Sequence, residues 1–355
     1  MTDEIRVDHD RLTTYARTAL EKTGVDSDHA RIVAECLVDA NLHGVDTHGV
    51  FKLPEYVNRV NSGGMNKDPE ISVTRTKEAT AIVDGDNGPG QSVTRRAMDE
   101  AIEIAEEAGA GLVGVKKSQH FGTAANFTRQ AAENGCIGIC MTHAGQNVVP
   151  FGGTEPYFGT NPIAISLPRE GEFPVTLDMA TSVKAKSAVS LAEKRGEDIP
   201  EEWALNNEGE PTTDPSEFGA LRPVGGPKGY GLAFMVEGFC GLLMNSVFGK
   251  DVPSSYENLS TPQNLSHFLV AIDIEAFTSL EGYTERLNQM AAELKNIPTQ
   301  DGFSQVLVPG EPENMTKEQR AEEGIPFSSE EWEALTDLGE KLDLNYEGLR
   351  TDNVP

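Results

Sequence analysis

Cysteine is scarce in this chain. The 355 residues hold four, Cys36, Cys136, Cys140 and Cys240, with no CxxC pair among them. Cys136 and Cys140 fall in GCIGIC, the pattern of a buried strand, so free core thiols are the better reading over a disulfide or a metal site. Long apolar runs are absent as well: no stretch approaches the ~20 residues of a membrane-spanning helix. The opening MTDEIRVDHD is acidic and polar where a secretory signal is basic and then apolar. A cytoplasmic location is expected.

Positive charge is equally thin. Lys and Arg number 29 against 57 Asp and Glu, a formal net charge of -28. Nucleic acid demands a basic footprint and anionic lipid repels such a surface, so neither is an expected partner. The acidic residues are spread through clusters such as EEAG, GEDIPEE and GEPEN rather than gathered in a tail. The simplest cause is adaptation to high salt, because at molar salt the Debye length shrinks to ~3 Å and self-repulsion is screened. His43 and His48, five residues apart, share no helical face and have no carboxylates arranged as partners, so no metal site is expected.

What is present is hydrophobic patterning over 38% of the residues, enough for a buried core. Leu12, Tyr15, Ala16, Ala19 and Leu20 repeat at helical spacing, as do Val33, Leu37 and Ala40 before Gly44. After NSGG the pattern changes to EATAIVDGDNGPG, a strand and turn, then a helix with Ala97, Ala101, Ile104 and Ala108 on its apolar face and a stop at Gly109. GLVGVKK, TAANFTRQAAENG and CIGICMTH continue as strand, helix and strand, which predicts a mixed α/β domain. HFLVAIDIEAF reads as a core strand leading into a helix and VLVPGEPE as a strand ending in a turn. Ser328 and Glu331 form a capping-box pattern ahead of Trp332, Leu335, Leu338 and Leu342.

Two glycine-rich turns draw notice. DGDNGPG precedes a helix, but GPGQSV has no matching third glycine and no acidic residue ending a second strand, so it fails the dinucleotide fingerprint and reads as structural. GGPKGYGLAFMVE places Lys228 between glycines at the start of an apolar helix, where backbone N–H groups and an ammonium converge as they would on an anion; a solvated loop lysine is the plain alternative.

Six blocks carry more information together: THGVFKLPEY, QHFGTAANF, GGTEPYFGTNPIA, LDMATS, PTTDP and KGYG. They resemble the malate/L-lactate/L-sulfolactate dehydrogenase family, which also holds ureidoglycolate dehydrogenase and 2,3-diketogulonate reductase, and they occur in the family's order over nearly the whole chain. The resemblance implies a mixed-sheet, non-Rossmann NAD(P)-binding domain over residues 76–311. It also implies a discontinuous helical domain over residues 1–75 and 312–355, and a homodimer with the cofactor cleft near the subunit interface.

Oxidising a 2-hydroxy acid needs a base for the hydroxyl proton, a cation for the carboxylate and a nicotinamide held against the reacting carbon. The family's proposed acid/base histidine matches His120, which stands before a predicted helix whose dipole would keep the imidazole neutral. His48 competes for that role. Thr47 replaces the family's usual serine and is assigned to substrate contact or proton relay, with a helix N-cap as the alternative. Lys52 stands where relatives carry arginine, so a carboxylate would meet a point charge rather than a planar fork. Tyr56 matches a substrate-site tyrosine.

The resemblance assigns NAD or NADP contacts to Ala144, Asp178, Met179, Ala180, Lys228, Gly229, Gly310 and Glu311. Asn161 is a plausible amide partner near the nicotinamide or a turn residue satisfying its own backbone. The expected function is an NAD(P)-dependent oxidoreductase of a small 2-hydroxy acid, malate first. Reduction of cyclic imino acids, ureidoglycolate oxidation and a non-catalytic acidic binding protein are the alternatives.

Overall fold

In the computed structural model, which describes residues 5–253 and 258–351, the centre is a seven-stranded sheet. Across it the strands run Ser72–Lys77, Thr80–Asp84, Ala110–Ser118, Leu265–Asp273, Cys136–Thr142, Ile163–Leu167 and Val175–Met179. Only Thr80–Asp84 and Ala110–Ser118 pair in parallel; every other neighbouring pair is antiparallel. A Rossmann sheet is built from parallel strands, so this mixed order excludes one.

The parallel pair is joined by the Gly90–Ala108 helix, the crossover that parallel strands require. Its buried face contains Ala97, Ala101 and Ile104, and Gly109 ends it in the left-handed conformation with φ 82°. With the Ala125–Glu133 helix it covers one face of the sheet, over Val83, Val113, Val115, Cys140 and Leu269. On the other face the Pro227–Glu237 helix and the π-helical turn Gly238–Leu242 bring Val236 and Cys240 onto Phe268. The cysteines are free and buried, and Cys136 and Cys140 lie inward on an alternating strand, as GCIGIC suggests.

A second core joins the two ends of the chain. The His9–Lys22 helix buries Leu12, Tyr15, Ala16, Ala19 and Leu20 against Ser27–Leu42, Leu53–Asn61 and the late Ser329–Leu342 helix. A short strand, Ile5–Val7, pairs antiparallel with Ile325–Phe327 and ties the ends together. The capping box is present, with Ser328 and Glu331 each satisfying the other's backbone N–H. One expected strand is absent. In VLVPGEPE the residues 306–308 join no ladder, Pro309 and Gly310 form a turn and Glu311 already opens the Glu311–Glu323 helix; the adjacent Val175–Met179 strand donates one bond to the block, Thr176 N–H to the Pro309 carbonyl at 3.0 Å. The PTTDP block forms the edge of a small three-stranded sheet, Phe218–Leu221, Ala204–Asn206 and Pro211–Thr212.

Candidate active site

The blocks around Thr47 and His120 meet in one cleft of about 1280 Å³ between the helical core and the sheet edge. Two 3-10 turns, Asp46–His48 and Val50–Lys52, deliver the first block. Asn41 positions them: its Oδ1 accepts from Val50 N–H at 2.8 Å, and its Nδ2 donates to Asp46, which also pairs with Arg320 at 2.6 and 3.0 Å. Gly49 is required by close approach, since a Cβ there would sit 2.3 Å from Asn41 Oδ1.

His48 and His120 stack face to face, ring centroids 5.6 Å apart and planes 21° from parallel. Each ring has its Nδ1 engaged by a neighbouring hydroxyl, His48 by Thr47 at 3.0 Å and His120 by Tyr56 at 2.7 Å. Thr47 therefore partners the histidine, and the turn it belongs to has no side-chain cap. Burial, followed by the Lys52 ammonium, lowers His48 to about 4. Burial also takes His120 well below the usual imidazole range, reinforced by His48, Lys52, His267 and Arg59. Both rings are neutral at pH 7, the state in which a histidine can accept a proton.

The neutrality of His120 has a different origin from the one its sequence position suggests. The helix begins at Ala125, five residues on, and its N-terminus is occupied by Asp178, whose Oδ2 accepts from Ala125 N–H at 2.8 Å. Crowding by the cleft walls raises the Asp178 carboxyl to about 6, against the pull of that N–H and of Arg129. Water reaches Asp178 in the open cleft, so the full upward push requires a ligand to fill the space.

Lys52 is buried and donates to Glu55 Oε2 at 2.9 Å, so any carboxylate arriving at this ammonium would compete with an internal one. Tyr56 is fully buried beneath the rings and also receives a hydrogen bond from Gln91 Nε2 at 3.1 Å. Ala144, Asp178, Ala180 and Gly310 line the far part of the cleft. Asn161 stands behind it at φ 34°, its Oδ1 accepting from Ala144 N–H at 3.1 Å and its amide donating to Glu237 and the Ala233 carbonyl. It shapes the Ala144 loop.

With Asn161, five residues of the expected cofactor set are off the cleft wall. Met179 ends its strand half-buried opposite Ile163, and Lys228 is exposed on the first turn of its helix. Gly229 allows that helix to approach Val224 and Thr181, where a Cβ would lie 2.3 Å from the Val224 carbonyl oxygen. Glu311 pairs with Lys295 and accepts from Val308 N–H at 3.0 Å, which closes its own turn. The cations lining the cleft are Arg95, Arg129, Lys186 and Lys317, along with Lys52. Arg95, Arg129, Lys186 and Lys317 left no sequence signal, because each sits in a polar helical pattern with no local motif.

The DGDNGPG turn has a packing role. A Cβ on Gly90 would lie 2.2 Å from the Gln119 carbonyl oxygen and 2.5 Å from that of His120, so the glycine lets the helix start rest against the histidine's backbone. Among the described residues, no group of three His, Cys, Asp or Glu side chains could hold a metal ion, and no helix is long and apolar enough to cross a membrane.

Relatives named malate, sulfolactate and ureidoglycolate dehydrogenase make this chain a nicotinamide-dependent dehydrogenase of 2-hydroxy acids, a class that the paired neutral histidines and the long cleft lined by carboxylates and cations fit. The family model described as malate/L-lactate dehydrogenase matches residues 7–336, and the chain belongs to that family. It is 41% identical to the malate dehydrogenase of Pyrococcus horikoshii, covering 97% of each chain. It is 38% identical to the NAD(+)-dependent ureidoglycolate dehydrogenase of Escherichia coli O157:H7, covering 93% of this chain and 95% of the relative. The solved sulfolactate dehydrogenase of Methanocaldococcus jannaschii superposes with a TM-score of 0.90 at 33% identity, over 97% of this chain and 99% of that one.

Proposed function

We propose that His120 is the base that removes the hydroxyl proton of a small 2-hydroxy acid, with malate the first substrate to test. The observation that carries this reading is the neutral His120 ring, pinned by Tyr56 at Nδ1 and stacked on His48 in the cleft. With Nδ1 engaged, Nε2 is the ring nitrogen left for substrate. His48 and Thr47 hold the hydroxyl and complete a relay, and Lys52 binds the carboxylate by displacing Glu55.

The cofactor fits the remaining space. A cleft of about 1280 Å³ exceeds the usual volume for a drug-sized ligand, and a diphosphate suits the cations at Arg129, Lys186 and Lys317. Asp178 would accept from hydroxyl or amide donors, while Ala144, Ala180 and Gly310 present small surfaces to a flat ring. NAD or NADP supplies the hydride acceptor. The protein holds the two reactants together, takes the proton and excludes water.

We also propose a homodimer, a helical unit over residues 1–75 and 312–355 beside an α/β unit over 76–311, and a surface adapted to salt. The dimer is supported by the apolar side chains exposed on one helical stretch: Phe234 at 51%, Met235 at 58%, Leu242 at 57% and Leu243 at 58%. On a surface this acidic, such a patch is where two like-charged copies could meet. The salt reading is supported by the charge of -28.

The functional test is a panel of malate, lactate, sulfolactate, ureidoglycolate and a cyclic imino acid with NAD and NADP, read by nicotinamide absorbance. Turnover of a 2-hydroxy acid that is lost in His120→Ala supports the reading. Turnover of the imino acid alone would replace it.

A further inference from the structure

Gln91 sits next to the proposed base without touching it. It is wholly buried on the first turn of the Gly90–Ala108 helix, and its amide reaches the Tyr56 hydroxyl at 3.1 Å. Tyr56 in turn reaches Nδ1 of His120 at 2.7 Å, forming a three-residue chain from amide to phenol to imidazole. The Oε1 of Gln91 is buried with no hydrogen-bond partner. A buried amide oxygen without a donor is costly, which calls for an explanation.

We infer that Gln91 is a positioning residue that sets, through Tyr56, which nitrogen of His120 carries the proton. The inference rests on His120 being the base. A phenol has one proton to give. When Gln91 Nε2 donates to Tyr56, the phenol proton goes to Nδ1, the imidazole keeps its proton on Nε2, and Nε2 cannot accept from substrate. When the amide turns by half a revolution, Oε1 stands where Nε2 stood and accepts the phenol proton. Tyr56 oxygen then accepts from Nδ1–H, and Nε2 presents a lone pair. The oxygen that has no donor in the first arrangement has one in the second.

The chemistry balances in the second arrangement. The substrate O–H bond breaks as an N–H bond forms at Nε2, the hydride passes from carbon to NAD(P), and the ring becomes an imidazolium. Its Nδ1–H remains paired with the Tyr56 oxygen throughout, because the phenol O–H keeps its proton and donates its hydrogen bond to Gln91 Oε1. In the reverse reaction the same pairing holds while Nε2 returns its proton to the carbonyl oxygen.

Nitrogen-15 NMR of histidine-labelled full-length protein, with the His120 signal assigned from its loss in His120→Gln, tests this directly. The expected wild-type spectrum has the His120 proton on Nδ1, and Gln91→Met shifts population toward Nε2–H. Kinetically, Gln91→Met is expected to lower kcat for oxidation about tenfold with little change in the KM for cofactor. Gln91→Glu, which buried and protonated still offers a carbonyl acceptor, recovers most of that loss. The effect should vanish in a Tyr56→Phe background, because the two residues act in series. A wild-type ring protonated on Nε2, or losses that multiply in the double variant, would overturn the inference. A protein with no 2-hydroxy acid turnover would remove the functional reading, while the wild-type spectrum would still decide the tautomer.

Discussion

The Tyr56 hydroxyl lies 2.7 Å from Nδ1 of His120, and this contact joins a helix of the second core to a loop of the sheet. It ties the orientation of the proposed base to the packing of both units. His120→Ala should therefore lower kcat by about two to four orders of magnitude, the usual contribution of a positioned acid or base, with cofactor affinity nearly unchanged. His48→Ala should cost less. The opposite ranking in steady-state kinetics would move the base to His48.

Lys52 and Glu55 form an ion pair at 2.9 Å, which the proposed substrate carboxylate would open. Lys52→Met should raise the KM for substrate by about ten- to a hundredfold, the worth of a charge-assisted hydrogen bond, with a smaller change in kcat. Lys52→Arg should keep or improve affinity through its planar fork. An unchanged KM in Lys52→Met would place the carboxylate elsewhere.

Asp178 has two duties, capping the Ala125–Glu133 helix and facing the cleft. Asp178→Ala should cost about 1 kcal/mol of stability from the lost cap, measured by denaturant unfolding, and should also weaken cofactor binding measured by calorimetry. Loss of stability with unchanged cofactor affinity would leave Asp178 a cap only.

The histidine pair makes stability depend on pH with a definite sign. Burial lowers His48 from 6.5 to about 4, so between those values the unfolded chain binds a proton that the folded chain refuses. His120 is lowered in the same direction. Stability from this source is complete above about pH 6.5, falls as the pH drops through that value, and continues to fall toward pH 4. Unfolding measured in high salt, where surface repulsion is screened, should show this slope reduced in His48→Gln. An unchanged slope would mean that carboxylates alone set the acid limit.

The net charge of -28 gives a salt prediction. In dilute buffer the protein should lose activity and dimer content together, and both should return with added salt. Sedimentation across salt and protein concentration checks this, and a fully active monomer in dilute buffer would contradict both the salt-adapted and the dimeric readings.

Much of the fold was legible because its helices carry clean one-sided patterns. The residues expected inward on the first helix, Leu12 through Leu20, are buried, and Gly109 and Ser328 bound their helices as their chemistry requires. The VLVPGEPE segment misled because an apolar, β-branched run records burial, and Val308 is buried without entering a ladder. In the site, the meeting of His48 with His120 was foreshadowed only by resemblance, since 72 positions separate them and no local pattern encodes a tertiary contact. Gln91 gave no signal, because its partner Tyr56 lies 35 residues away on another helix.

The proposal that His120 is the base in hydride transfer between a 2-hydroxy acid and a nicotinamide is tested by nicotinamide absorbance on mixing wild type or His120→Ala with malate and NAD or NADP in molar salt. Reduced nicotinamide should accumulate with wild type in proportion to malate consumed, and the variant should be slower by at least about a hundredfold. No reduced nicotinamide from any 2-hydroxy acid, or an equal rate in the variant, would contradict that role for His120.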